Sequence, residues 1–160
     1  MINIFGKKNA SDGLLKAPAD AEMLDISTVN DPVFAGKMMG DGVAFRINED
    51  KCIICSPADG TLSVLFPTGH AFGVTLKNGM EVLVHIGIDT VKENGNGFRL
   101  FDKIQGSNVK AGEPIVEVDF GQLRHKYDMT VMLIVTNAAN NPIVFLQPGS
   151  VKKGESIINS

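Results

Sequence analysis

The 160-residue chain has no tryptophan, one tyrosine, three histidines and two cysteines, Cys52 and Cys55. Two cysteines cannot build a disulfide framework, and no second pair exists to complete a four-cysteine zinc site. Basic residues are not in excess: 15 Lys and Arg stand against 18 Asp and Glu, a net charge of −3. Without a basic cluster the composition argues against a nucleic-acid binder. No apolar run approaches the ~18 residues of a membrane span. The opening MINIFGKKNASDG lacks the apolar stretch and small-residue cleavage site of a secretory signal. The expectation is a cytoplasmic protein. Nor is there a G-x-S-x-G elbow, a Walker loop or a dinucleotide fingerprint. What remains is 44% apolar residues, enough for one compact domain with a real core.

Short apolar runs separated by Gly, Pro, Asn and Asp fill the chain. They predict strands at Val43–Ile47, Lys51–Cys55, Thr61–Phe66, His70–Leu76, Glu81–Ile88, Pro114–Asp119, Thr130–Thr136 and Ile143–Gln147. Such spacing points to an all-β, antiparallel sandwich or barrel-sandwich hybrid. Helical signals are brief: a turn or two at Pro32–Met39, a short turn at Phe98–Ile104 and a short helix at Gly121–Tyr127. Met1–Asp12 reads as a flexible tail, leaving residues 13–160 as a single domain. Two motifs recur. Ala17-Pro18-Ala19-Asp20 returns as Ser56-Pro57-Ala58-Asp59, and Val109-Lys110-Ala111-Gly112-Glu113 as Val151-Lys152-Lys153-Gly154-Glu155. Two copies suit an internal duplication into similar β-halves, not a solenoid.

Cys52 and Cys55 form a C-x-x-C, but on a strand. Residues three apart there point to opposite faces, so the thiols are expected to diverge and to be neither a redox pair nor metal ligands.

The informative stretch is Thr68–Val91. Along Glu81–Asp89 the alternation is strict, placing Val82, Val84, Ile86 and Ile88 in the core and Glu81, Leu83, His85, Gly87 and Asp89 on the other face. Gly87 beside His85 leaves room for close approach. Asn78-Gly79 signals a hairpin with a type I′ turn. In that register His70 faces Gly87 and His85 faces Phe72, making the two histidines diagonal neighbours about 7–8 Å apart. A neutral imidazole is a good nucleophile near pH 7, and a second one can donate a hydrogen bond to an arriving anion. The pair suits a group that accepts and returns a phosphoryl, and also two of the ligands of a zinc site. Catalytic zinc usually takes three protein ligands. Asp89 is the only nearby carboxylate, and His125 reads as a solvated surface residue.

These residues carry a resemblance. Gly79–Val91, with Asp31-Pro32-Val33-Phe34, Gly40–Ala44, Ala58–Thr61 and Thr68-Gly69-His70-Ala71-Phe72, resembles the phosphorylation-site signature of glucose-type enzyme IIA proteins. These belong to the bacterial phosphoenolpyruvate:sugar phosphotransferase system, and the likeness runs from about Leu15 to Ile158. It implies an all-β sandwich with a shallow site and no cofactor. It also implies a phosphoryl taken from phospho-HPr onto His85 Nε2 and passed to a cysteine of an enzyme IIB domain. His70 matches the second active-site histidine and Thr68 the hydroxyl that orients it. Val33, Phe34, Met38, Met39, Phe66, Leu83 and Val91 match the apolar rim for partners, and Asp31 and Asp89 its acids. The chain departs from enteric relatives at Asn137–Asn141, where an acidic pair is replaced by Asn-Ala-Ala-Asn-Asn. Contacts needing a carboxylate there, including a shared zinc site, are not expected.

The alternatives are a regulatory binding module controlled by its phosphorylation state, or a zinc hydrolase on a related β-fold.

Overall fold

The computed structural model describes residues 14–159; the expected tail Met1–Asp12 lies outside them. Among the described residues thirteen strands are arranged in three sheets, and every pairing is antiparallel. They are β1 Ala21–Asp25, β2 Asp41–Arg46, β3 Lys51–Cys55, β4 Gly60–Leu65, β5 Ala71–Thr75, β6 Glu81–Ile86, β7 Phe98–Leu100, β8 Asn108–Val109, β9 Pro114–Asp119, β10 Val131–Asn137, β11 Val144–Phe145, β12 Gly149–Val151 and β13 Ile158–Asn159. Two one-turn helices, α1 Pro32–Ala35 and α2 Phe120–Leu123, interrupt them. No helix among the described residues is long and apolar enough to cross a membrane.

The eight-stranded sheet has the order β12-β1-β2-β10-β6-β5-β4-β8. That order is a palindrome about the β10–β6 pair. The cross-strand row Met23–Phe45–Val131–Ile86 answers the row Leu62–Val74–Val82–Val135, and all eight side chains are buried. The three-stranded sheet β3-β9-β7 covers this face through Ile54, Val116 and Val118, in the same core as Phe45, Phe72, Val82 and Val84. The fold is a β-sandwich with no closed barrel.

The duplicated motifs meet as the palindrome requires. Ala17 accepts from Gly154 N and Ser56 from Gly112 N, at 3.0 and 2.9 Å. Asp20 accepts from Lys153 N and Asp59 from Ala111 N, both at 2.8 Å. Glu155 and Glu113 each fold back onto the backbone N–H three residues earlier.

All eight expected strands form, within a few residues at their ends. Phe98–Leu100, expected as a turn, is a strand paired to β9. The short β8, β12 and β13 escape a periodicity reading because two or three residues show no period. The hairpin register also differs. Asn78 lacks a positive φ, and Gly79 alone is left-handed at +93°. A three-residue loop of Lys77, Asn78 and Gly79 follows, with Leu76 N bonded to Met80 O. The pairing shifts by one residue, so His85 faces Ala71 rather than Phe72. Cys52 and Cys55 also depart from expectation: a bulge between Ile54 and Cys55 breaks the alternation. Both border one depression of about 380 Å³. Burial, with Glu49 nearby, pushes the Cys52 thiol up to about 11, and burial raises Cys55 as well.

Candidate functional site

β6 ends at Ile86 because Gly87 turns left-handed at φ +78°. Its carbonyl then swings back within 2.8 Å of His85 Nδ1. A carbonyl only accepts, so Nδ1 carries the proton and Nε2 presents its lone pair. The room beside Gly87 is not left for a ligand. A Cβ there would lie 2.5 Å from Thr90 Cγ2 and 2.9 Å from Met129 Sδ. Ile88, expected in the main core, packs instead against the smaller apolar cluster of Ile26, Val29, Phe34, Ala44, Met132 and Ile134.

His70 lies just before β5, after a turn in which Gly69 N bonds Phe66 O and Gly69 has φ +78°. The chain is not yet a regular strand there, so alternation no longer dictates where the ring goes. The two rings meet edge to face, centroids 5.4 Å apart at 80°. The convergence inferred from a diagonal pairing thus arises by another route. Thr68 Oγ1 lies 2.6 Å from His70 Nδ1. His70 is buried and His85 half-buried. Burial pulls the pKa of both rings below the ordinary 6.5, for His70 with help from His85. For His85 the Gly87 carbonyl and the carboxylates of Asp31 and Asp89 oppose that drop. Both rings are therefore neutral at pH 7.

The resemblance puts Phe34 on the apolar rim for partners. It is buried, its ring 5.3 Å from that of His85. Asp31 caps α1 by accepting from Val33 N at 2.9 Å, which fixes Phe34 in that place. Phe66 packs 5.0 Å from His70 and stays 41% exposed. Val33, Met38, Met39 and Val91 are exposed, Leu83 is half-buried, and Asp89 stands exposed at φ +63°.

Val64 also belongs to this face and was missed. A bulge between Leu62 and Val64 turns it out beside Gly73, whose rung leads to Leu83. A one-residue bulge leaves no mark in the hydrophobic pattern. His125 is exposed beyond α2. Among the described residues no group of three His, Cys, Asp or Glu side chains is placed to hold a metal ion.

A model of the phosphoenolpyruvate-dependent sugar phosphotransferase system EIIA 1 family matches residues 14–141. The chain is 39% identical over 150 residues to the PTS system glucose-specific EIICBA component of Staphylococcus carnosus (strain TM300), covering 93% of this chain. It is 38% identical over 146 residues to the glucoside-specific EIICBA component of the same organism, covering 91% of this chain. It spans only 22% and 21% of those two proteins. The glucose permease IIA from Mycoplasma capricolum superposes with a TM-score of 0.83 at 35% identity, covering 90% of this chain and 92% of that one. With the family match running through both histidines and strands β1 to β10, the chain belongs to the EIIA 1 family of the phosphoenolpyruvate-dependent sugar phosphotransferase system.

Proposed function

We propose that residues 13–160 act as one phosphocarrier domain on the cytoplasmic side, without a cofactor. The domain takes a phosphoryl from phospho-HPr onto His85 Nε2 and passes it to a cysteine of an enzyme IIB domain during sugar uptake. The observation that carries this reading is the hydrogen bond from His85 Nδ1–H to the Gly87 carbonyl, 2.8 Å long, which leaves Nε2 unprotonated beside His70. Nε2 attacks phosphorus as the P–N bond to the donor imidazole breaks. The donor ring carries a proton on its other nitrogen, so it leaves as neutral imidazole and no general acid is needed. His70 donates its Nε2–H to the phosphoryl oxygens, and the Thr68 hydroxyl donates to His70 Nδ1 to hold that tautomer. Asp31, Val33, Met38, Met39, Phe66, Leu83, Asp89 and Val91 meet the partners, with Phe34 backing the His85 ring.

The test is incubation with phosphoenolpyruvate, enzyme I and HPr, followed by mapping of the acid-labile phosphate. We expect it on His85 Nε2. Phosphate on His70 or His125, or acid-stable phosphate on a hydroxyl, overturns the assignment. The exposed Met38 and Met39, 75% and 40% accessible, favour a second, regulatory role, because flexible thioethers re-pack against several surfaces. Transfer to a IIB domain separates carrier from regulator.

A further inference from the structure

The acceptor's tautomer depends on one carbonyl, and that carbonyl belongs to a loop that is not at ease by itself. After β6 the chain runs through Gly87 at φ +78°, Asp89 at +63° and Asn94 at +54°, enclosing a single 3-10 turn at Thr90–Glu93. Asp and Asn tolerate the left-handed region better than other non-glycine residues but still at a cost, so the surroundings of the loop help to hold it. The segment Tyr127–Thr130 does so at both ends. At the near end Gly87 N bonds Thr130 O at 3.0 Å and Ile88 N bonds Asp128 O at 2.9 Å. At the far end the Tyr127 hydroxyl donates to Glu93 Oε2 at 2.7 Å. Lys126 Nζ and Asn96 Nδ2 reach Glu93 Oε1 at 3.3 and 3.4 Å. The Glu93 side chain is only 7% exposed. A carboxylate enclosed to that degree and met by three donors is a tie, not a solvated surface charge.

We propose that Glu93 and Tyr127 are positioning residues for phosphoryl acceptance, holding the Gly87 carbonyl on His85 Nδ1. The inference rests on His85 as the acceptor. The first variant is Tyr127→Phe, which removes only the hydroxyl; the second is Glu93→Gln, which keeps an acceptor oxygen and is expected to act more mildly. Two readouts are taken: the ¹⁵N shifts of the His85 ring, which report its tautomer without any partner, and single-turnover acceptance from phospho-HPr. We expect a mixed His85 tautomer together with acceptance slowed about tenfold, within the ~100-fold that an ångström of misplacement costs. An unchanged tautomer overturns the proposal, whatever happens to thermal stability, and so does a changed tautomer with an unchanged rate. If Tyr127→Phe fails to fold, Glu93→Gln carries the same test. Failure of wild-type protein to accept phosphate on His85 is a different result: it overturns the acceptor assignment, while the tautomer readout still judges the tie.

Discussion

At the scale of single residues, the site depends on where two protons sit. His85→Ala should abolish phosphate acceptance while costing about 1 kcal/mol of stability, the ordinary effect of truncating a half-buried side chain. Phosphate mapping and a melting curve together check this. His70→Gln keeps a neutral N–H, so acceptance on His85 should survive. Onward transfer to a thiolate, which gathers more negative charge, should suffer more, up to the 10²–10³-fold of a lost oxyanion donor, about 2.7–4 kcal/mol. Single-turnover rates of both half-reactions decide it. The pH dependence follows from both pKa values lying below 6.5. The unfolded chain then binds more protons than the native one in the window between the folded pKa and 6.5. Stability from these rings is complete above pH 6.5 and is lost as pH falls through the folded values. Urea midpoints from pH 7.5 to 5 should decline, and less steeply in His70→Gln. His85 was legible in the sequence because a strict alternation set it apart from Val82, Val84 and Ile86. Phe34 as its backing was not, since nothing in Asp31-Pro32-Val33-Phe34 says which side of a one-turn helix meets a ring distant in sequence.

At the scale of elements, the irregular positions do most of the placing, and they were the hardest to foresee. The three-residue loop in place of a type I′ turn moved the β5–β6 register by one residue, and one residue is enough to exchange faces. Bulges in β3 and β4 had the same effect on Cys55 and Val64. Eight of the thirteen strands were legible; β1, β7, β8, β12 and β13, and the slips between strands, were not. Gly87 is the most constrained of these positions. Gly87→Ala should destabilise by about 2–4 kcal/mol, from left-handed Cβ strain and overpacking against Thr90 and Met129. The His85 Nδ1 bond should loosen with it, as denaturant melts and ring ¹⁵N shifts would record.

At the scale of the whole molecule, the palindromic sheet explains why two short motifs recur. Asp20 and Asp59 cap equivalent turns by accepting from Lys153 N and Ala111 N. Asp20→Ala and Asp59→Ala should therefore cost similar amounts, about 1 kcal/mol each. A large difference in denaturant midpoint between them would break the equivalence. The recurrence was visible in the sequence, but the pairing of its halves across β6 and β10 needed the register. Charge acts at this scale too. Replacing Asp31 and Asp89 by Asn should chiefly slow association with a basic partner and weaken its salt dependence. Stopped-flow rates at two ionic strengths test that, and a loss confined to dissociation rejects it.

The palindrome has one more consequence. Counting along the matched rows, the counterpart of His85 is Ile134, fully buried in the cluster that α1 helps to close. The duplicated frame thus offers two equivalent seats, and the segment from Ile26 to Phe34 has stoppered one of them. A titration with labelled donor should accordingly saturate at one phosphoryl per chain, and the same wedge that closes the second seat lends Phe34 as a wall to the first.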